Sequence, residues 1–182
     1  MPDRLLAPPA VPAHRVEFDA VFCGLLPRLY RRAALLTGED AAADVVHEAY
    51  LKLVARPARL TAHPQPYAYA YATMVSVVRD GWRRGRRQVP VPEFGADLHV
   101  GVDGGLGWRE AVWEARRLLD GLPPGEAAAV LLVDLDCYTI DQAADMLGVH
   151  RGTVARARGR ALDKLRSRQR CGPRKGREEG SR

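Results

Sequence analysis

Twenty residues in the middle of the chain, Gln88 to Gly107, constrain the fold more than any others. Val-Pro-Val-Pro-Glu-Phe gives way there to Gly101-Val-Asp-Gly-Gly-Leu-Gly107, and neither a helical nor a strand period runs through it. Proline and glycine at this density interrupt regular structure, so the segment reads as a flexible linker between two lobes. On both sides of it, apolar residues recur at spacings of three and four, the mark of helices that bury one face. The expected fold is therefore all-α: two small helical domains, residues 16–87 and 108–168, joined by the linker 88–107. A Pro-rich N-terminus (1–15) and a basic tail (169–182) are expected to be disordered.

In the first lobe, Phe18, Phe22, Leu25, Leu29, Ala33 and Leu36 mark an opening helix. Pro27 either kinks it or stands on its outer face, and Cys23 is expected as a small buried hydrophobe. Thr37-Gly38 ends this helix. A second begins with Glu39 and Asp40, whose carboxylates complement the helix dipole. Its inner stripe is Ala42, Val45, Val46, Ala49 and Leu53, and Pro57 stops it. Arg59 to Pro66 reads as a loop, with Pro66 at the first position of a third helix. That helix carries Tyr67, Ala70, Tyr71, Met74, Val77, Val78 and Trp82 and runs into Arg83, Arg84, Arg86 and Arg87.

In the second lobe, a helix from Trp108 has Val112, Ala115, Leu118 and Leu119 as its inner face. Leu122-Pro-Pro-Gly125 breaks the chain before another helix through Leu131, Leu132 and Leu135, and two short helices follow. Thr139-Ile-Asp-Gln142 is a capping box: the Thr139 hydroxyl accepts from the Gln142 amide while the Gln142 side chain reaches back. Gly148 supplies a turn that tolerates positive φ. A new helix starts near His150 to Thr153, with Val154, Ala161 and Leu165 inward. Its outer side carries Arg151, Arg156, Arg158, Arg160, Lys164, Arg166 and Arg168, against little acid beyond Asp163. A basic helix face alone is commonplace. Cap, tight Gly turn, inward apolar spacing and basic outer face together describe a DNA-binding helix-turn-helix, whose second helix enters the major groove. The planar fork of arginine suits guanine edges and phosphate.

A net charge of +6 favours a polyanionic partner, either nucleic acid or an acidic membrane surface. The arginines are split between two lobes instead of forming one amphipathic stripe, which places the membrane surface last. No uninterrupted apolar stretch approaches the roughly 20 residues that span a bilayer. Nor does the Pro-rich start resemble a signal peptide, so a cytoplasmic location is expected. The three cysteines, Cys23, Cys137 and Cys171, lie far apart, and neither they nor the five histidines have metal-ligand spacing. No cofactor is expected. No nucleophile, base and orienting group assemble in the sequence, so the chain reads as non-enzymatic.

Taken together, these segments resemble the extracytoplasmic-function (group 4) sigma factors of bacterial RNA polymerase, most nearly an actinobacterial type. The likeness runs from about Phe18 to Arg168, excluding the linker. Leu36-Thr-Gly-Glu-Asp-Ala-Ala-Ala-Asp44-Val-Val-His-Glu-Ala-Tyr50 is similar to sigma region 2.1 to 2.2, and Tyr67 through Arg79-Asp80-Gly-Trp82-Arg-Arg84 to region 2.3 to 2.4. Leu122-Pro-Pro, Thr139-Ile-Asp-Gln-Ala-Ala-Asp-Met-Leu-Gly-Val149 and Gly152-Thr-Val154 are similar to region 4. The resemblance implies that Asp44, His47, Glu48 and Leu51 dock on the β′ clamp coiled coil of core polymerase, with the β flap as a further contact. It implies that Arg79, Arg83, Arg84, Arg86 and Arg87, with Thr61, Tyr67 and Ser76, meet the −10 element. The loop from Thr61 to Pro66 would accept a flipped base, and Tyr67, Tyr69 and Tyr71 would offer stacking surfaces. Residues two apart on a helix do not share a face, so at least one of these tyrosines belongs to the core. It further implies that Arg151, Thr153, Ala155, Arg156, Gly159 and Arg160 meet the −35 element, and that an anti-sigma protein is a possible partner. Three positions depart from the family's usual residues. Arg158 stands where leucine is common, Ser76 where asparagine is, and His47 where glutamine is.

Two rivals remain at this point. A free-standing helix-turn-helix regulator would bind promoters without polymerase, usually as a dimer, and no heptad-spaced dimerisation helix is evident. A degenerate sigma-like decoy would bind polymerase or an anti-sigma protein without reading DNA, a reading kept open by the altered recognition helix.

Overall fold

A computed structural model describes residues 13–85 and 106–171, and among these every regular element is a helix. The first lobe contains α1 (Ala13–Thr37), α2 (Glu39–Val54), the short α3 (Pro57–Thr61) and α4 (Pro66–Gly85). The second contains α5 (Leu106–Leu119), α6 (Pro124–Val130) continued by a π-helical turn (Leu131–Leu135), α7 (Ile140–Leu147) and α8 (Arg151–Cys171).

The periodic stripes do the packing. Phe18, Phe22, Leu29 and Ala33 of α1 close on Ala42, Val46, Ala49 and Leu53 of α2 and on the inner residues of α4. Pro27 is accommodated inside α1 at an exposed position. Cys23 is exposed, contrary to the expectation of a buried thiol, because one residue past Phe22 the helix has already turned about 100° away from the core stripe. Gly38 separates α1 from α2 at φ 100°, ψ 161°, a region open only to glycine, and its amide donates to the Ala34 carbonyl at 2.9 Å. The expected loop from Arg59 is partly helical: Pro57 starts α3 and the fully buried Leu60 anchors it.

In the second lobe Leu119 is buried and Ala115 packs against the core, whereas Leu118, expected inside, is half exposed. The side chain of Val112 lies outside the described residues. The last helix is long, not short, and it reaches Cys171, beyond the expected start of the tail. Likewise α1 begins at Ala13, inside the expected N-terminal disorder. The two lobes are not independent bodies. Helix α5 lies on α1, α6 and α7 lie on α4, and the buried apolar side chains of both lobes join one cluster.

Candidate nucleic-acid interface

The helix-turn-helix is built by local chemistry. At the start of α7 the Thr139 hydroxyl accepts from the Gln142 amide at 3.2 Å, and the Gln142 side chain accepts from the Thr139 amide at 2.9 Å. Gly148 ends α7 in the left-handed region at φ 62°, ψ 38°. Before α8, the His150 imidazole accepts from the Gly152 amide at 3.1 Å. Val154 and Ala161 are buried and Leu165 packs against them, so the opposite side of α8 faces outward. Thr153, Ala155, Arg156, Gly159 and Arg160 are all on that exposed side.

Most of the cations on α8 are already engaged. Arg151 pairs with Asp141 at 3.1 Å, and Arg166 with Asp163 at 3.1 Å. Arg158 makes a two-pronged contact to Asp134, at 2.8 and 2.5 Å. Ala157 takes the inward position beside it, so the arginine leans out along its stem and ends on an acid. Arg160 and Lys164 share Glu126, at 3.0 and 2.8 Å. Burial pushes the Glu126 carboxyl up, but the hydrogen bonds from Lys164 and Arg160 more than reverse this and hold it below its ordinary value. Arg156 is exposed and has no acidic partner among the described residues. The two acids that tie down Arg158 and Arg160 were missed in the sequence. They lie 24 and 34 positions upstream, on elements whose approach to α8 no local pattern reports.

On α2, Asp44, His47 and Leu51 are exposed along one face, Leu51 by 52%. Glu48, on the same face, is half-buried and holds Lys52 at 3.6 Å and Arg84 at 3.7 Å. Two predicted site groups thus meet: Arg84, assigned to DNA, rests on Glu48, assigned to polymerase. Arg83 is exposed beside Asp80 at 4.0 Å, Ser76 is exposed, and Thr61 closes α3 half-buried. Arg86 and Arg87 lie outside the described residues. Tyr71 is the core tyrosine. It is fully buried, and burial raises its phenol pKa. Tyr69 instead stacks on His63, ring centroids 5.3 Å apart, at the mouth of the loop between α3 and α4.

Tyr67 is half-buried, covered on one side by α1 of its own lobe. The Arg28 guanidinium sits 3.7 Å from its ring centroid, and burial pushes its phenol up to about 12, partly opposed by that guanidinium. Arg28 also donates to the Tyr138 hydroxyl at 2.8 Å. One turn along α1, Arg32 grips Asp136 with both prongs of its fork, Nε lying 3.1 Å from the carboxylate. Asp136 is 7% exposed and Arg32 17%. Between Asp136 and Tyr138, Cys137 adopts φ 57°, and the turn is closed by Asp136 and Tyr138 amides donating to Leu131 and Leu132 carbonyls at 2.9 Å. None of Arg28, Arg32, Asp136 and Tyr138 was singled out in the sequence, where only their separation by more than a hundred residues is visible.

Among the described residues no cluster of three or more His, Cys, Asp or Glu side chains is placed to hold a metal ion. No helix among them is long and apolar enough to cross a membrane.

Residues 24–88 match the family model "Sigma-70 region 2", and residues 113–165 match "Sigma-70, region 4". Together the two matches span more than half of the chain. Among solved structures, the fold is similar to the sigma factor RpoE of Bartonella quintana, crystallised with the anti-sigma factor NepR. The TM-score is 0.61 at 20% identity, covering 86% of this chain and 99% of that one. No curated protein sequence matches it significantly.

Proposed function

We propose, on the premise that the chain belongs to the sigma-70 family, that it binds core RNA polymerase and directs it to promoter DNA for transcription initiation. Within that family the reading is an extracytoplasmic-function sigma factor of actinobacterial type, with a −10-reading first lobe and a −35-reading second lobe. The outer face of α2 (Asp44, His47, Glu48 and Leu51) docks on the β′ clamp coiled coil, and the second lobe meets the β flap. A mixed acidic and apolar strip suits a basic, amphipathic partner helix. The protein contributes binding energy and no bond chemistry: unstacked bases are captured at a cost of a few kcal/mol each, and polymerase does the synthesis. An anti-sigma protein, of the kind bound by the Bartonella relative, is a further partner in this reading.

The observation that carries the reading is the order of the two family regions, with a complete capping box, left-handed glycine and outward-facing recognition helix in the second. One observation favours a second reading. Internal pairing of Arg158 and Arg160 suits a decoy that binds polymerase or an anti-sigma protein without reading DNA.

The sigma-factor reading requires core binding, which Asp44 tests. It is exposed at the outer edge of α2, so Asp44→Lys is expected to leave the helical circular-dichroism spectrum intact and cut co-purification with core enzyme at least tenfold. Undiminished co-purification would sink the α2 assignment.

A further inference from the structure

Glu126 is a carboxylate buried beneath the recognition helix, where desolvation opposes its charge. Small side chains bring it there. Ala127, Ala128 and Ala129 of α6 and Ala157 and Ala161 of α8 are all buried, so the two helices approach closely. A buried ion pair often contributes no more stability than apolar residues of the same size, so stability alone does not account for an acid at this position. The pattern of its bonds does. One oxygen accepts from Lys164 Nζ at 2.8 Å, and the other accepts from Arg160 Nε at 3.0 Å. Neither terminal Nη of Arg160 bonds to another described residue, and the Arg160 side chain is 58% exposed. Arg158 is held differently, with Nε and one Nη both donating to Asp134, so that a whole edge of its guanidinium is occupied. Arg79 of α4 lines the same cleft of about 160 Å³ as Glu126 and Arg160, without an ion pair to Glu126 among the described residues.

We propose that Glu126 is a positioning residue for DNA reading: it holds Arg160 by Nε alone, so that the two free Nη groups present an end-on fork to a guanine edge. The inference rests on the reading in which α8 enters the major groove. It gives the Arg160 pairing a use in recognition, where the decoy reading gives it none. A guanidinium tethered on folding has already lost rotamer freedom that a loose one would lose on meeting DNA. Two parallel donors match the O6 and N7 acceptors of guanine, whereas a phosphate can be held by a point charge such as lysine. Lys164 fixes the carboxylate in its turn, four residues beyond Arg160 on the same face of α8. Arg156 lies four residues before Arg160, so two forks stand one helical turn apart, one tethered and one without an acidic partner among the described residues.

The test is DNA selection by the full chain bound to core polymerase, with the preference at each base pair scored separately. Arg160→Ala is expected to lose about tenfold of the preference for guanine at one base pair. Glu126→Gln, which keeps the shape of the side chain, is expected to lose about three- to tenfold at that same base pair and to leave other positions unchanged. The double variant is expected to lose no more than Arg160→Ala, because the support then has nothing to aim. Lys164→Met changes an exposed position and leaves the Arg160 pair in place, and it is expected to relax the same base pair about twofold. If Glu126 served stability alone, Glu126→Gln would relax every position evenly and add to Arg160→Ala; either result overturns the proposal. So does an even loss over all sequences in Arg160→Ala, which makes Arg160 a phosphate contact. A parent chain that enriches no sequence strikes the promoter-reading premise and this proposal with it. An enriched element that Glu126→Gln and Lys164→Met read unchanged strikes this proposal alone.

Discussion

The two lobes use arginine in opposite ways. In the first, Arg28 and Arg32 leave their own helix to grip the other lobe, and Arg79 is drawn into the cleft between the two. In the second, the helix with the greatest cationic density keeps most of its charge at home, on Asp134, Glu126, Asp141 and Asp163. An exposed ion pair is weak and exchanges readily for another anion, so pairing does not remove an outward arginine from the candidates, but Arg156 differs from the others on α8 in having no acidic partner among the described residues.

The largest expected effect lies at Glu126, 6% exposed and shared by Arg160 and Lys164. Glu126→Gln is expected to cost the second lobe about 2 kcal/mol, since a buried group loses its charge-assisted partners. The sign with pH is fixed by the depressed carboxyl. Its contribution is complete above the ordinary value near 4.5 and is lost as pH falls through the lower folded value. The stability gap between the parent and Glu126→Gln, measured by urea unfolding, should therefore close below that range. A gap that persists unchanged in acid would mean that the pair is not what stabilises α6 against α8.

A second effect, about 1–2 kcal/mol, separates reading from scaffolding on α8. Arg156→Ala is expected to weaken binding to the selected DNA sequence and relax preference at one base pair. Arg158→Ala should lower thermal stability and leave sequence preference unchanged. The reverse pattern in a DNA-selection experiment would overturn the assignment of Arg156. The smallest effect is at Tyr71. Its hydroxyl is buried without a partner among the described residues, so Tyr71→Phe is expected to raise stability by about 1 kcal/mol. A loss of stability would show that the hydroxyl is satisfied in solution.

Much of this was legible in the residues alone. The stripes of α1, α2 and α4, the Thr139–Gln142 box and the Gly148 turn are local patterns, in which a few neighbouring side chains decide the backbone. Long-range geometry was not legible. Cys23 and Leu118 both lie next to a buried residue, and a change of one position on a helix moves a side chain from core to solvent. The short helix at Pro57 depends on Leu60 finding a pocket between α1 and α2, a contact that spacing does not encode. For the candidate site, the sequence marked the basic residues but not their acidic partners. Glu126, Asp134 and Asp136 look in sequence like ordinary surface acids. Only the π-helical turn and the packing of α6 on α8 bring them under the arginines.

The proposed role in promoter selection is tested most directly by run-off transcription over a genomic fragment library, with purified core enzyme in the presence and absence of the protein. Discrete new start sites that share two spaced upstream elements are expected, weakened by Arg156→Ala. Stable core binding with no new start sites would contradict it and leave the decoy reading in its place.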